Sequence, residues 1–459
     1  MTHTRYARQL IAPGFQQAAL ERRLVCLSPG RLDPALHHLA LVAGAMGVTQ
    51  QTLAQPAPRD ISLETPARLL RLNPGVALEL VSLDLGLALC APEETEGPYV
   101  VADVTTTTRT FTTSVRRLGK RAPDRVRFFA RGRDSIVIGR SLREVRARAG
   151  RAPGVSPAIA APLGLHGVEA AGHLLGDYLA AARAYDEPPF DEPMPRAPEL
   201  LEIRPVAAIS GPARPLTVLL VGGGGALAHA FLEALLHEPM LARSLRRLVV
   251  VDPDAVELSN LSRQILYAGA QLGEPKAAAT ARAFAARRVT DPGAPPPEVV
   301  AVPSRFVAEH LERFRPDVVG LFPDAFEPRA AAFAHLKRGA PGVLVLDGGT
   351  EFTYGTFRSV VIGAGAPCLD CGPEELDRSA AAERRERAGR AGCSQEHTPS
   401  NVLTNLFAGL LAARALASFL ASGAVPPAQD VVNWMLPGRL HRGPELPACG
   451  CWAAARRSA

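Results

Sequence analysis

The sequence predicts an α/β protein of two domains, the second opening on a βαβ unit. Three observations predict it. From Thr217 to Asp252 the chain reads as strand, glycine turn, helix, strand and acid. A looser strand–turn–helix pattern runs from Leu24 to Met46. Between the two, Asp186 to Pro215 is dense in proline, which stiffens a chain and marks a domain boundary.

Length and composition fit that outline. A chain of 459 residues exceeds one ordinary core, so two domains are expected. Hydrophobic residues make up 47% and charged residues 21%, the balance of a globular protein. The net charge of +6 is spread along the chain, and no run of like charge interleaves with aromatics, so nucleic-acid binding is not expected. The start, Met1 to Arg5, lacks a charged region followed by an apolar core, so no signal peptide is expected. Leu403 to Val425 is strongly apolar but contains Asn405 and Arg414, and reads as a buried helix, not a membrane span. The seven cysteines are odd in number and four form two close pairs, which argues for metal binding in a reducing cytoplasm over a disulfide framework.

The second half carries the sharpest signal. Thr217-Val218-Leu219-Leu220-Val221 is a buried strand, followed by Gly222 to Gly225 and a helical run from Ala226. Glycines at such a turn let backbone approach phosphate, and a helix N-terminus presents N–H groups to an anion. Leu248 to Val251 is the next strand and ends on Asp252, placed to take ribose hydroxyls. Then come Asp252-Pro253-Asp254-Ala255-Val256-Glu257-Leu258-Ser259-Asn260-Leu261-Ser262-Arg263-Gln264 and Gly273-Glu274-Pro275-Lys276. Arg263 offers a forked donor and Lys276 a point charge for phosphate, with Asn260 and Gln264 as neutral polar partners. Arginine is the default cation here, since lysine occurs only at 120, 276 and 337. A lysine at 276 is therefore a pointed choice.

These motifs resemble the ThiF/MoeB and ubiquitin-activating enzyme superfamily, which adenylates the C-terminal glycine of ubiquitin-fold proteins. The family pattern D-x-D-x-V-E-x-S-N-L-x-R-Q, then G-x-x-K, is present in full. The resemblance implies two Rossmann-like doubly wound halves forming a pseudo-dimer, with a zinc knuckle and a crossover loop in the second half. It implies ATP at Gly222, Gly224, Gly225, Asp252, Asn260 and Gln264, with Arg263 and Lys276 on the phosphates. One departure stands out: Leu227 takes the place of the last glycine in the family's turn, where a side chain would push the helix from the strand.

The first half, residues 1–190, reads as a worn copy of the same fold. Arg5-Tyr6-Ala7-Arg8-Gln9 resembles the family's opening R-Y-x-R-Q, whose second arginine reaches the partner copy's ATP site. Arg8 is expected to do so here; the plain alternative is an arm with surface arginines. Strand Leu24 to Leu27 is followed by Ser28-Pro29-Gly30, not a glycine loop, and Pro29 lacks a backbone donor. This half is expected not to bind ATP. Val76 to Val81 and Ser135 to Gly139 read as strands, Thr105 to Thr113 as an edge strand or loop, and Gly167 to Ala184 as a helix. Residues 191–215 form the expected linker, and 216–459 the active adenylation domain.

Past the motif, Ala277 to Arg288 reads as a helix, and Val299 to Val302, Val318 to Phe322 and Val343 to Leu346 as strands. The family places a magnesium-binding aspartate at the end of such a strand, and Asp324 matches; Ala325 stands where asparagine is usual. The alternative for Asp324 is the N-cap of the helix over Pro328 to Lys337. Cys368 and Cys371 have knuckle spacing, and with Cys449 and Cys451 they make a tetrahedral set for structural Zn²⁺, although the family's second pair is C-x-x-C. The alternative is unliganded buried cysteine. The segment 372–398 corresponds to the crossover loop. Near its end Cys393, close to Arg387 and Arg390, matches the acceptor thiol of several members; nearby cations and a helix start favour a thiolate. His397 is read as an ordinary loop residue, and Cys26 and Cys90 as core.

The resemblance thus implies an ATP- and Mg²⁺-dependent enzyme acting on a ubiquitin-like protein, passing the acyl group through Cys393 to a conjugating enzyme in the cytoplasm. No nucleic-acid or membrane partner is expected, and the state is a monomer with an internal pseudo-dimer or a homodimer. Two other readings stay open: an enzyme for a sulfur-carrier protein or peptide precursor, and a non-enzymatic scaffold of the same fold.

Overall fold

The computed structural model describes residues 5–10, 12, 14–20, 23–27, 34–55, 64–82, 84–85, 99–106, 110–117, 125–131, 136–139, 142–149, 165–181, 200–203, 214–287, 296–352, 354–363, 399–425, 428–433 and 439–445. Cys90, Cys368, Cys371, Cys393, Cys449, Cys451, His397 and the 372–398 loop lie outside them.

Two eight-stranded sheets carry the fold. The first contains β1 (Arg23–Leu27), β2 (Gln50–Gln55), β3 (Ala77–Ser82), β4 (Tyr99–Thr106), β5 (Thr110–Arg117), β6 (Arg125–Arg131), β7 (Ile136–Gly139) and β8 (Leu200–Ile203). The second contains β9 (Leu216–Val221), β10 (Leu245–Val251), β11 (Glu298–Val302), β12 (Val318–Leu321), β13 (Leu344–Thr350), β14 (Tyr354–Val361), β15 (Ala428–Asn433) and β16 (Arg439–Glu445). Their strand orders are the same: β3-β2-β1-β4-β5-β6-β7-β8 and β11-β10-β9-β12-β13-β14-β15-β16. In the first sheet β3, β2, β1 and β4 are parallel and the rest antiparallel. In the second the parallel part extends through β13.

The apolar run of β9 is explained by its central place. All six residues are buried. Val218 and Leu220 face one core with Phe231, while Leu219 and Val221 face another with Phe333 and Leu336. A parallel strand covered on both faces has no reason to alternate apolar with polar.

The helices between the sheets are α1 (Pro34–Met46) and α3 (Leu165–Ala181) from the first half, and α4 (Ala226–His237) and α7 (Val402–Ser422) from the second. They pack on one another. One hydrophobic cluster contains Leu39 and Leu174 of the first half together with Phe231 and Leu406 of the second. Each fully buried leucine there contributes roughly 2 kcal/mol. Contact is close where side chains vanish: a Cβ on Gly409 of α7 would lie 2.5 Å from the Phe231 amide of α4, and one on Gly172 of α3 would lie 2.9 Å from the Phe407 ring. Helix α7 is long and apolar enough to cross a membrane, yet 78% of its most apolar window is buried within the protein. It is capped by Asn401, whose Oδ1 accepts the Leu403 and Thr404 amides at 2.7 and 3.0 Å, and it ends at Gly423 with φ +71°.

Three expectations need correction. The stretch expected to be linker contains β8, a strand of the first sheet paired with β7. Of the stretch expected as an edge strand or loop, Thr105–Thr106 and Thr110–Thr113 lie in β4 and β5, interior strands of the first sheet. Leu227 does not push α4 away. It is buried, and its Cδ1 lies 3.0 Å from where a Cβ on Gly348 of β13 would sit. The facing strand supplies the room that the turn does not.

A polar cluster also joins the halves. Glu233 of α4 is fully buried and faces Arg68 of α2 (Glu64–Leu72), His38 of α1 and His237 of its own helix. The ligating atoms of His37, His38 and Glu233 lie within 4.8 Å of one another. Arg68 lies against both Glu233 oxygens and its Nη1 is 3.2 Å from His37 Nε2, so the protein itself supplies the cation there.

Candidate active site

The predicted residues converge where β9, β10 and β12 end, beside the point at which strand order reverses. Open α/β sheets bind ligands at that place. Gly222 has φ +71°, and a Cβ on it would lie 2.8 Å from Pro323 backbone atoms. Only glycine lets the first turn pass under the β12 end. A Cβ on Gly224 would lie 2.4 Å from Lys276 Cβ and 3.0 Å from Asp252 Oδ2, so the loop and the lysine are in contact.

The glycine amides are all used within the protein. Gly222 and Gly223 N–H donate to the Val251 carbonyl, Gly224 N–H to Asp252 Oδ2 at 2.9 Å, and Gly225 N–H to the Gly222 carbonyl. The glycines shape the loop; they do not offer its amides to an anion. Helix α4 begins with Gly225 as N-cap and no side-chain cap, so the amides of its first turn have no intrahelical acceptor.

Asp252 is buried, and its Oδ1 accepts the Asp254 amide at 3.0 Å. Burial pushes its carboxyl up from the ordinary value, opposed by Lys276 and by the Asp254 and Gly224 amides. Each oxygen keeps a further lone pair for a hydroxyl. Lys276 begins helix α5 (Lys276–Arg287), and its Nζ pairs with Asp254 Oδ2 at 2.9 Å. An exposed carboxylate is an exchangeable partner for an ammonium, so a phosphate can take its place.

The S-N-L-x-R-Q segment is a 3₁₀ turn over Leu258–Ser262. Asn260 holds it: its Oδ1 accepts the Glu257 amide at 2.9 Å, and its carbonyl accepts the Arg263 and Gln264 amides. Gln264 is buried, with an Oε1 that has no hydrogen-bond partner among the described residues.

Two arginines from opposite halves meet here. Arg263 is buried, donates to the Ser259 carbonyl at 2.7 Å, and is brought down to about 10 by burial and then by the positive charge of Arg8. Asp324 and Glu257 act on both arginines in the opposite sense. Arg5 secures the arm, with Nη2 donating to the Leu72 carbonyl at 2.7 Å and the Leu261 carbonyl at 3.3 Å. The Arg8 carbonyl accepts the Ser400 amide at 3.1 Å. Two cations within electrostatic range of one another, with carboxylates near both, suit a polyanion bridged by a divalent cation.

Asp324 is exposed just beyond β12. The N-cap of helix α6 (Phe326–Gly339) is Ala325, so Asp324 is not used for capping. Arg329 of α6 fixes the loop that bears it: its Nη2 donates to the Pro323 and Gly348 carbonyls, each at 2.7 Å, and its Nη1 pairs with buried Asp347. Sequence reasoning missed Arg329 and Asp347, which lie outside any motif, and it missed Tyr267, a lone aromatic just past one. Asp254 and Glu257 sat inside the quoted motif and were given no role. Cys26 is buried core, and burial pushes its thiol up to about 12.

A comparison with curated proteins gives no match. Solved structures give distant likenesses. E. coli MccB with ATP is 16% identical, over 52% of this chain and 66% of that one, with a TM-score of 0.40. E. coli MccB alone is 17% identical, over 52% and 64%, with a TM-score of 0.40. PaaA is 15% identical, over 51% and 65%, with a TM-score of 0.39. The chain spans a little under two-thirds of the length of these proteins. The family model is direct: residues 214–442 match that of the ThiF family. Those residues form a ThiF-family domain.

Proposed function

We propose that this chain uses ATP to adenylate the C-terminal carboxylate of a ubiquitin-like protein. The observation that carries the reading is the docking of the N-terminal arm of one half on the Leu258–Ser262 turn of the other, through Arg5 to the Leu261 carbonyl, beside the glycine loop packed on Lys276. A carboxylate oxygen of the substrate attacks the α-phosphorus of ATP. The bond to the bridging oxygen breaks, and pyrophosphate leaves with its electron pair. The protein's share is positioning and charge. Arg8, Arg263 and Lys276 neutralise the charge that develops on the phosphates. Asp324 holds Mg²⁺, Asp252 takes the ribose hydroxyls, and Gln264 is a polar partner for the nucleotide. Gly222, Gly224 and Gly225 shape the floor.

In the same reading Cys393 attacks the acyl carbon, AMP leaves, and a thioester forms for transfer to a conjugating enzyme in a bacterial ubiquitin-like conjugation system of the cytoplasm. Cys368, Cys371, Cys449 and Cys451 hold a structural zinc. The first half, whose Pro29 replaces the glycine turn, binds no nucleotide and lends Arg8, so the monomer is an internal pseudo-dimer. The matching strand orders of the two sheets support that last point.

The test is ATP–pyrophosphate exchange by the full chain with a ubiquitin-like protein encoded beside its gene, followed by a non-reducing gel. Exchange and a thiol-sensitive conjugate lost in Cys393→Ala are expected. Exchange only with a sulfur carrier or a peptide precursor would replace the substrate assignment. No exchange with any of them would leave a scaffold.

A further inference from the structure

We propose that Tyr267, Thr280 and His229 form a buried relay that fixes the glycine loop to the lysine helix and thereby sets the affinity for ATP. The inference rests on the adenylation reading and adds three positioning residues to it.

Hydrogen-bond direction follows from the donors. The Leu266 amide donates to His229 Nδ1 at 3.3 Å, so the proton of a neutral imidazole sits on Nε2. Nε2–H donates to Thr280 Oγ1 at 3.1 Å. The Thr280 hydroxyl passes its own hydrogen to Tyr267 Oη at 2.9 Å. Tyr267 O–H donates to the Gly224 carbonyl at 3.1 Å, with the Lys276 carbonyl at 3.3 Å. Every oxygen accepts from one neighbour and donates to the next.

The site is dry. His229 and Thr280 are fully buried and Tyr267 is 1% exposed. Burial holds His229 well below the usual histidine value, with the charges of Arg287 and Lys276 acting in the same sense, so the neutral tautomer stands. The ring of Tyr267 meets that of His229 edge-on, centroids 4.3 Å apart. A phenylalanine would fill this space without a hydroxyl to satisfy. Three polar side chains linked head to tail point to a requirement beyond packing.

The relay ends on the two elements that bear the nucleotide groups. The Gly224 N–H is held by Asp252 and its carbonyl faces Tyr267, so both peptide planes that flank this residue are fixed. The same hydroxyl lies against the carbonyl of Lys276. Asp252 and Lys276 are thus held at a set spacing by a buried hydroxyl.

The test is calorimetric ATP·Mg²⁺ binding by the full chain, with the thermal midpoint of each nucleotide-free variant. Tyr267→Phe and Thr280→Val are each expected to weaken ATP binding about tenfold, because the loop and the lysine helix lose their fixed spacing, while the lost buried hydrogen bonds lower each thermal midpoint by about 5 °C or less. Thr280→Ser, which keeps the hydroxyl, is expected to bind like the parent. Unchanged affinity in Tyr267→Phe and Thr280→Val overturns the inference. So does weak binding by Thr280→Ser, since that would make volume, not the hydroxyl, the cause. A parent that fails to bind ATP at millimolar concentration overturns the adenylation reading itself, and shows this before any variant is made.

Discussion

Arg68 and Glu233, 165 residues apart in sequence, form a two-point buried ion pair between the halves, with Nη1 2.9 Å from Oε1 and Nη2 3.0 Å from Oε2. Burial opposes the Glu233 charge, but Arg68 and the hydrogen bonds from His237 and His38 outweigh it and hold the carboxyl well below the usual range. The linkage sign is clear. A carboxyl whose folded value is depressed contributes stability above its unfolded value, and that stability is lost as pH falls through the folded value. Glu233→Gln is expected to cost about 3–5 kcal/mol at neutral pH, because it strands Arg68 without its counter-charge. Urea melts at neutral pH and below pH 4 check this: the gap between parent and variant should narrow in acid.

The cationic pair makes a separate prediction. Arg263 sits at about 10 because of burial and the nearby Arg8. Both guanidinium groups keep their charge across the working pH range, so each should contribute to nucleotide binding as a fixed cation. Arg8→Ala should cut pyrophosphate exchange about 100-fold at neutral pH, with Lys276→Ala acting to a similar degree. Exchange rates of the two variants and the parent at neutral pH measure the effect.

Leu227 and Gly348 should behave as a coupled pair. Leu227→Ala empties a filled space and should cost about 2–3 kcal/mol. Gly348→Ala crowds Leu227 and should cost about 1–2 kcal/mol. Combined, the two should cost less than their sum, because the new methyl enters the vacated space. A double-mutant cycle by chemical denaturation reports the coupling directly.

The four paired cysteines predict one zinc per chain by elemental analysis. Cys368→Ser should lower that occupancy, as should removal of Cys451. ATP binding by the second half should be largely retained, since the metal is assigned to holding the C-terminal tail.

Much of the site was legible because its requirements are local. The β9 run, the glycine turn, Asp252 and Lys276 lie within one continuous stretch whose spacing is set by a single βαβ unit. The fold was less legible where pattern and environment part company. Thr105 to Thr113 shows no clean alternation, yet it contributes to two interior strands of a sheet. Leu200–Ile203 is a strand set among prolines, and only its pairing with β7 reveals it. Arg68, Glu233, Tyr267 and Arg329 owe their roles to partners supplied by the folded chain, and no spacing rule announces them. The missing family glycine at Leu227 misled for the same reason: the room it needs is provided by a residue 121 positions later, Gly348.

The closed hydrogen bonding of the glycine turn has one more consequence. An amide nest grips an anion through fixed dipoles that bulk electrolyte barely affects, whereas guanidinium and ammonium groups near a surface are shielded by it. With the turn's own N–H groups engaged internally, nucleotide capture falls to Arg8, Arg263 and Lys276 and to the open amides at the start of α4. Its strength should therefore decline with ionic strength chiefly through half-buried Arg8, since Arg263 and Lys276 are buried and screened less.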